Sequence, residues 1–318
     1  MNVAIVGAGA VGLGLGATLY HGGIPLRVIA RDPDTRRSLR SHGLHRRGLF
    51  GDVHVPAGAI RIDEDLDALH EDPVTVLLVC TKTTTSAELA RDLATAGLAK
   101  ENGPRFVLCQ NGWGNAEIFS RSLPRNRIFN ARIITGFQRE GPCEVHVTAH
   151  AQPISMGSLF GADPTPLDRL CGALSKGGIP CELSQDIGRD LWAKMLYNCA
   201  LNPLGALLGV PYGELAGNPE SRDILESVVR EIFKVLRASN QGTHWTNADT
   251  YLDLFFRDLL PPTKEHRSSM LQDLRAGRAT EIDALCGQVV EQGARFGIGT
   301  PVNAALRVLV KAREERAR

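Results

Sequence analysis

Val3-Ala4-Ile5-Val6-Gly7-Ala8-Gly9-Ala10-Val11-Gly12 is the stretch that decides the fold. The four leading apolar residues read as a strand buried on both faces, and Val11 to Tyr20 reads as the helix that follows it. Between them Gly7 allows a tight turn, Gly9 lets a pyrophosphate approach the backbone, and Gly12 lets helix and strand pack closely. The helix N-terminus then offers free N–H groups and a partial positive charge to the phosphates. Gly7, Ala8, Gly9, Ala10, Val11 and Gly12 are therefore candidate dinucleotide-binding residues. A purely structural glycine-rich turn is the alternative, and the β-α-β pattern around the motif weighs against it.

Outward from this motif, Leu26 to Ala30, Val74 to Cys80 and Phe106 to Cys109 read as further strands, with helical patterns at Thr84 to Ala96 and Asn115 to Ser122. Short apolar runs alternating with helices predict a doubly wound parallel sheet of the Rossmann type. From about Gln185 the strand signals stop. Helical patterns follow at Arg189 to Leu208, Glu220 to Ala238, Ala248 to Leu260, Lys264 to Arg275, Thr280 to Phe296 and Val302 to Arg313. The expected architecture is α/β, a Rossmann-type domain over residues 1–184 followed by an all-helical domain over 185–318.

The end of the second strand separates the two nicotinamide cofactors. An acidic residue there binds the 2′-hydroxyl of NAD, whereas Arg accommodates the 2′-phosphate of NADP. The chain reads Val28-Ile29-Ala30-Arg31-Asp32, and Arg36, Arg37 and Arg40 follow in the next helix. Arg31 grips a phosphate through paired hydrogen bonds, so NADP is expected. Arg37 and Arg40 also fit a solvated helix face, and Asp32, one residue late, keeps NAD as the alternative.

Bulk properties bound the rest. At 318 residues the chain accommodates two domains, and a net charge of +1 gives no general attraction to nucleic acid or an anionic membrane, so neither partner is expected. The seven cysteines are scattered, without the paired short spacing of a zinc site or redox dithiol, so no metal is expected and the thiols read as reduced and buried. With the first strand starting within the first few residues and no apolar membrane span, the expectation is a soluble cytoplasmic protein. The sequence does not give the oligomeric state; a homodimer is one expectation.

Asp190-Leu-Trp-Ala-Lys194-Met-Leu-Tyr-Asn198-Cys-Ala-Leu-Asn202-Pro203 carries the second signal. Spacings of four put Lys194, Asn198 and Asn202 on one face of an otherwise apolar helix. Buried polar groups need partners, and a polar substrate would supply them; a water-exposed stripe is the alternative. Reduction of a ketone develops charge on its oxygen, and a lysine ammonium, protonated at neutral pH, stabilises that charge and delivers a proton. Farther on, Thr280 and Asp283 fit a capping box, which would place Glu281 in a first helical turn, where a carboxylate is favoured in any case. Glu281 and Ser269 also fit ligand-binding roles. Lys82 and Asn111 follow directly after expected strands, at the carboxyl edge where open α/β sheets bind ligands. An exposed loop lysine and a turn residue before Gly112 are their structural alternatives.

These segments together resemble the ketopantoate reductase (2-dehydropantoate 2-reductase) family over essentially the whole chain. The resemblance is carried by Gly7-Ala-Gly-Ala-Val-Gly12, Arg31, Thr81-Lys82, Gln110-Asn111-Gly112-Trp113-Gly114, Leu191-Trp192-Ala193-Lys194 through Asn202-Pro203, and Ser268-Ser269-Met-Leu-Gln-Asp273 through Thr280-Glu281-Ile-Asp283. It implies that Lys194 is the general acid, that Glu281 orients substrate and cofactor, and that Asn111 bridges the nicotinamide side and the reacting centre. It implies a cofactor-side role for Lys82 and substrate contacts for Asn198, Asn202 and Ser269. The implied reaction is hydride transfer from NADPH to the C2 carbonyl of ketopantoate, giving pantoate for pantothenate and coenzyme A synthesis.

The chain departs from the family pattern at Ala131-Arg132-Ile133-Ile134-Thr135-Gly136-Phe137, at Thr148-Ala-His150-Ala-Gln-Pro153 and at Pro211-Tyr212. Arg132 reads as an exposed side chain, with a new anion contact as the alternative. Because the changes fall on the expected substrate wall, a reductase of another 2-keto acid is the alternative. A non-catalytic NADP sensor is a further one, disfavoured because a sensor needs no proton donor.

Overall fold

A computed structural model describes residues 1–317. The chain divides into two compact units. One comprises Met1–Gln110 and Asn115–Ile187, the other Asn111–Gly114 and the chain from Gly188 onward.

The first unit contains twelve strands: β1 (Val3–Val6), β2 (Leu26–Ile29), β3 (Leu44–Gly48), β4 (Val53–Val55), β5 (Ile60–Asp63), β6 (Val76–Val79), β7 (Arg105–Leu108), β8 (Ile128–Arg132), β9 (Thr135–Gly141), β10 (Glu144–His150), β11 (Ile154–Gly157) and β12 (Cys181–Leu183). Eight of them form one sheet in the order β12-β11-β8-β7-β6-β1-β2-β5. All its pairings are parallel except β8 with β11. The chain leaves β1 toward β2 on one side and returns to β6 on the other, so β1 marks the topological switch point, where such sheets bind ligands beyond the strand ends. Apolar residues cover both faces: Leu13, Leu15, Val28, Leu78 and Val107 belong to one core, Leu77, Leu89, Leu93, Phe106 and Phe119 to the other.

The sequence reading did not foresee a second sheet, ordered β4-β3-β10-β9. It packs on the first helix, Ala10–His21. That helix has glycine at 12, 14 and 16, and a Cβ on Gly14 would lie 2.3 Å from the Phe137 ring of β9. The missing side chain is what lets the second sheet come so close. Arg46 of β3 is fully buried, donating to Thr18 Oγ1 at 2.6 Å and to the carbonyls of Gly177 and Phe50. All seven cysteines are free thiols.

The second unit has no strand among the described residues and is built of helices joined by loops. Its principal helices are Ile187–Leu208, Pro219–Ala238, Ala248–Leu254, Ser269–Arg275, Cys286–Arg295 and Pro301–Ala317. Among the described residues no helix is long and apolar enough to cross a membrane. Leu196, Leu201, Val228, Ile232, Phe255 and Val289 lie in the interior. Pro203 has no N–H for the Cys199 carbonyl one turn back, and the Cys286 thiol donates there instead, at 3.9 Å.

Two expected helices begin late. Ser268 caps the Ser269–Arg275 helix by accepting from Leu271 N, so the regular turn does not reach back to Lys264. The expected helix from Thr280 begins only at Cys286, and the capping box is not formed. Thr280 instead donates, through its N–H and its hydroxyl, to the buried Glu314 carboxylate, while Asp283 pairs with Arg307 and Lys311.

Burial pushes the Glu314 carboxyl up, but hydrogen bonds from Lys311 and from the Thr280 side chain and backbone outweigh it, holding the pKa below the ordinary 4.5. A carboxyl with a depressed folded pKa stabilises the fold above its unfolded pKa, and that contribution is lost as pH falls through the folded value. Glu314→Gln is therefore expected to cost about 1–3 kcal/mol at neutral pH. Thermal melts should show the gap between variant and parent narrowing below pH 4.5. An equal deficit at every pH would remove the charge from this account.

Candidate active site

In the first unit the glycine turn is held from both sides. Gly7 has φ +104°, a conformation L side chains rarely adopt, and its N–H donates to Ile29 O at 3.1 Å. A Cβ there would sit 2.8 Å from the Cys80 carbonyl carbon, and a Cβ on Gly12 would sit 2.0 Å from Gly7 O. Gly9 behaves differently: nothing lies within 4 Å of where its Cβ would be. Gly9 is the N-cap of the first helix and supplies no side-chain cap, so Ala8, Gly9, Ala10 and Val11 present backbone rather than side-chain donors. Open space beside a helix N-terminus that has no side-chain cap fits a pyrophosphate.

Arg31 lies just past the end of β2, 64% exposed at its side chain, donating to Glu88 at 3.1 Å and Asp92 at 2.8 Å. Pairs this exposed contribute little, so a doubly charged phosphate competes for the guanidinium on favourable terms. Asp32 is committed elsewhere. It caps the Pro33–His42 helix, accepting from Thr35 N at 2.9 Å and from the Thr35 hydroxyl, and those two bonds lower its pKa. Arg36 is a buried brace, donating to the Ala30 and Arg31 carbonyls and to Glu64. Arg37 and Arg40 are exposed on the same helix. Lys82 is exposed in the loop after β6, and the start of that loop, at Cys80 and Thr81, abuts Gly7.

In the second unit Lys194, Asn111 and Glu281 come together. Lys194 Nζ donates to Asn111 Oδ1 at 2.7 Å, and Asn111 Nδ2 donates to Glu281 Oε2 at 2.9 Å. Glu281 is 8% exposed, and Lys194 and Asn111 are half-buried. The stripe on the Ile187–Leu208 helix is thus not a water-exposed one. Asn111 is held by its neighbours in the loop. Trp113 stacks on Trp192 with centroids 4.7 Å apart, and its N–H donates to Ala284 O at 2.9 Å. Gly112, at φ +85°, passes so close that a Cβ would meet Ala284 O at 2.3 Å.

Farther along that helix, Asn198 is half-buried and Asn202 is buried. Asn202 Oδ1 accepts from the Tyr212 hydroxyl at 2.6 Å, and Ser268 donates to Asn202 O at 3.3 Å. Ser269 is exposed in the first turn of its helix. Two residues with parts in this arrangement carried no such reading in the sequence. Trp113 and Trp192 are two of only three tryptophans, and both fall inside polar motifs, a signal that was available. Tyr212 stood out only as a departure from the family pattern. The expected exposure of Arg132 is wrong: it is 5% exposed and donates to Gln152, Ser155 and the Pro153 carbonyl, which bind it into the sheet edge.

An ammonium held by a fixed amide, in turn held by a carboxylate, is an arrangement that can place one proton donor beside an oxygen gaining charge. A glycine turn at a switch point in one unit and this relay in the other define an oxidoreductase of Rossmann-plus-helical architecture. The chain belongs to the ketopantoate reductase family: residues 3–161 match "Ketopantoate reductase PanE/ApbA" and residues 186–314 match its C-terminal part. A 2-dehydropantoate 2-reductase of Aquifex aeolicus is 32% identical over 316 residues, covering 99% of this chain and 97% of that protein. The PanE/ApbA family ketopantoate reductase of Ralstonia eutropha superposes with a TM-score of 0.86 at 28% identity, covering 100% of this chain and 99% of the other. D-mandelate dehydrogenase shares the fold, with a TM-score of 0.85 at 24% identity, covering 100% and 99%.

The two glycines make opposite demands. Gly12→Ala is expected to lower the melting temperature, since the methyl collides with the Gly7 carbonyl at 2.0 Å. Gly9→Ala should melt like the parent yet bind dinucleotide at least about tenfold more weakly, because the methyl occupies space the phosphates need. Unchanged affinity in Gly9→Ala would show that the space beside Gly9 does not hold the pyrophosphate.

Proposed function

We propose that the protein is a cytoplasmic NADPH-dependent reductase of 2-keto acids, with 2-dehydropantoate its first substrate and pantoate, for pantothenate and coenzyme A synthesis, its product. The observation that carries this reading is the chain of hydrogen bonds Lys194 to Asn111 to Glu281. In it, residues 1–184 hold the cofactor, through Gly7 to Gly12, Arg31 and Lys82, and residues 185–318 hold the substrate, joined by Asn111 from the preceding part of the chain. Asn111 and Glu281 also serve the cofactor in this assignment.

NADPH, when bound, supplies the hydride that reaches the carbonyl carbon. Lys194 Nζ holds the proton that the carbonyl oxygen takes up, and its positive charge stabilises that oxygen as negative charge develops. Asn111 fixes the ammonium by accepting from it. Glu281 accepts from the other end of the amide, so the Asn111 oxygen faces Lys194 and not the reverse. Asn198, Asn202 and Ser269 supply amide and hydroxyl groups to the carboxylate and hydroxyl oxygens of the acid. The preference for the 2′-phosphate follows from Arg31 at the end of β2 and from the commitment of Asp32 to its helix cap.

Lys194→Ala is expected to reduce kcat by about 10²–10⁴-fold with the fold intact. Near-normal turnover would take the amine out of the chemistry. A parent protein that binds NADPH but oxidises it with no 2-keto acid would support the sensor reading instead. Rates with ketopantoate against a panel of 2-keto acids identify the substrate, and a ketopantoate kcat/KM among the poorest would assign the enzyme to another acid. Arg31→Ala should weaken NADPH by about 1.5–3 kcal/mol while barely affecting NADH. Equal losses in calorimetric titrations with the two would refute a phosphate-binding role.

A further inference from the structure

Tyr212 sits where the chain departs from the family pattern, and its side chain is held on every side. It is 3% exposed, its ring lies against Tyr197 and His266, and its N–H donates to His266 O at 3.1 Å. Burial, reinforced by Tyr197, pushes the phenol pKa up, so the group remains an O–H donor across the ordinary pH range. Its hydroxyl donates to Asn202 Oδ1 at 2.6 Å. An asparagine amide has one acceptor oxygen and one donor nitrogen at opposite corners, so fixing the oxygen fixes the nitrogen. Asn202 is 7% exposed, and its Nδ2 meets no acceptor among the described residues while keeping contact with solvent. The amide lies two helical turns from Lys194, along a slowly drifting face of the same helix.

We infer that Tyr212 is a positioning residue that sets specificity: it locks the Asn202 amide with its Nδ2 donors toward the substrate. The site therefore selects an oxygen acceptor at that point of a 2-keto acid, a carboxylate or hydroxyl oxygen, and rejects a group that must donate. The inference rests on the reductase reading above.

The test is a cycle of Tyr212→Phe, Asn202→Ala and the double variant, followed with NADPH and the best 2-keto acid of the panel. Tyr212→Phe keeps the ring and should raise the KM for the keto acid about tenfold, with kcat and the KM for NADPH within about twofold of the parent. The double variant should be no worse than Asn202→Ala, since the hydroxyl then has nothing to orient. Losses that multiply, or a Tyr212→Phe effect on kcat alone, would overturn the inference. A parent chain inactive with every 2-keto acid refutes the reductase reading, and a second readout still decides the role of Tyr212. In spectra of protein labelled with 15N-asparagine, the side-chain amide pair that vanishes in Asn202→Ala should shift in Tyr212→Phe. An unshifted pair means that the phenol does not hold the amide.

Discussion

The hydrogen bond from Lys194 Nζ to Asn111 Oδ1 is the constraint on which the site depends. A lysine side chain has four rotatable bonds and loses much freedom when fixed, so an amine with a definite position needs a partner that is itself fixed. Asn111 meets that need only because its loop is anchored beyond it. The Trp113 stack on Trp192, the backbone bond to Ala284 and the bond to Glu281 all act on one short segment. Trp192 belongs to the same helix as Lys194, so the anchor and the amine are carried by one rigid element.

This arrangement has a cost in sequence freedom. The four residues Asn111–Gly114, a short way past β7, group with the helices. Gly112 cannot accept a side chain without moving Ala284, and Trp113 cannot shrink without leaving a void against Trp192. The position of the Lys194 amine thus depends on residues beyond its own hydrogen-bond partner.

Much of this was legible in the amino-acid order. The glycine turn, the parallel strands around it and the change to helices near residue 185 all declare themselves through local pattern, because a buried strand and an amphipathic helix impose their own periods. The second sheet did not. Its β3 reads Leu-His-Arg-Arg-Gly, polar enough to pass for a loop, and the burial of Arg46 there depends on acceptors at Thr18 and Gly177, far off in sequence, as well as on the nearby Phe50 carbonyl. Thr280 failed for the same reason. Its local neighbours suggest a cap, but a carboxylate 34 residues away takes both its donors. The hold of Tyr212 on Asn202 spans ten residues and a break between helices, beyond any fixed helical spacing. Pattern shows which residues are polar; contacts formed across the fold determine which of them are fixed.

The first helix, finally, is poorly suited to exist alone. Three interior glycines each weaken a helix by nearly 1 kcal/mol relative to alanine, and a twelve-residue segment is already short for autonomous stability in water. Its order is borrowed from the sheets that grip it on either side. The partial positive charge at its N-terminus is thus a product of tertiary assembly, to which strands more than a hundred residues downstream, β9 and β10, contribute.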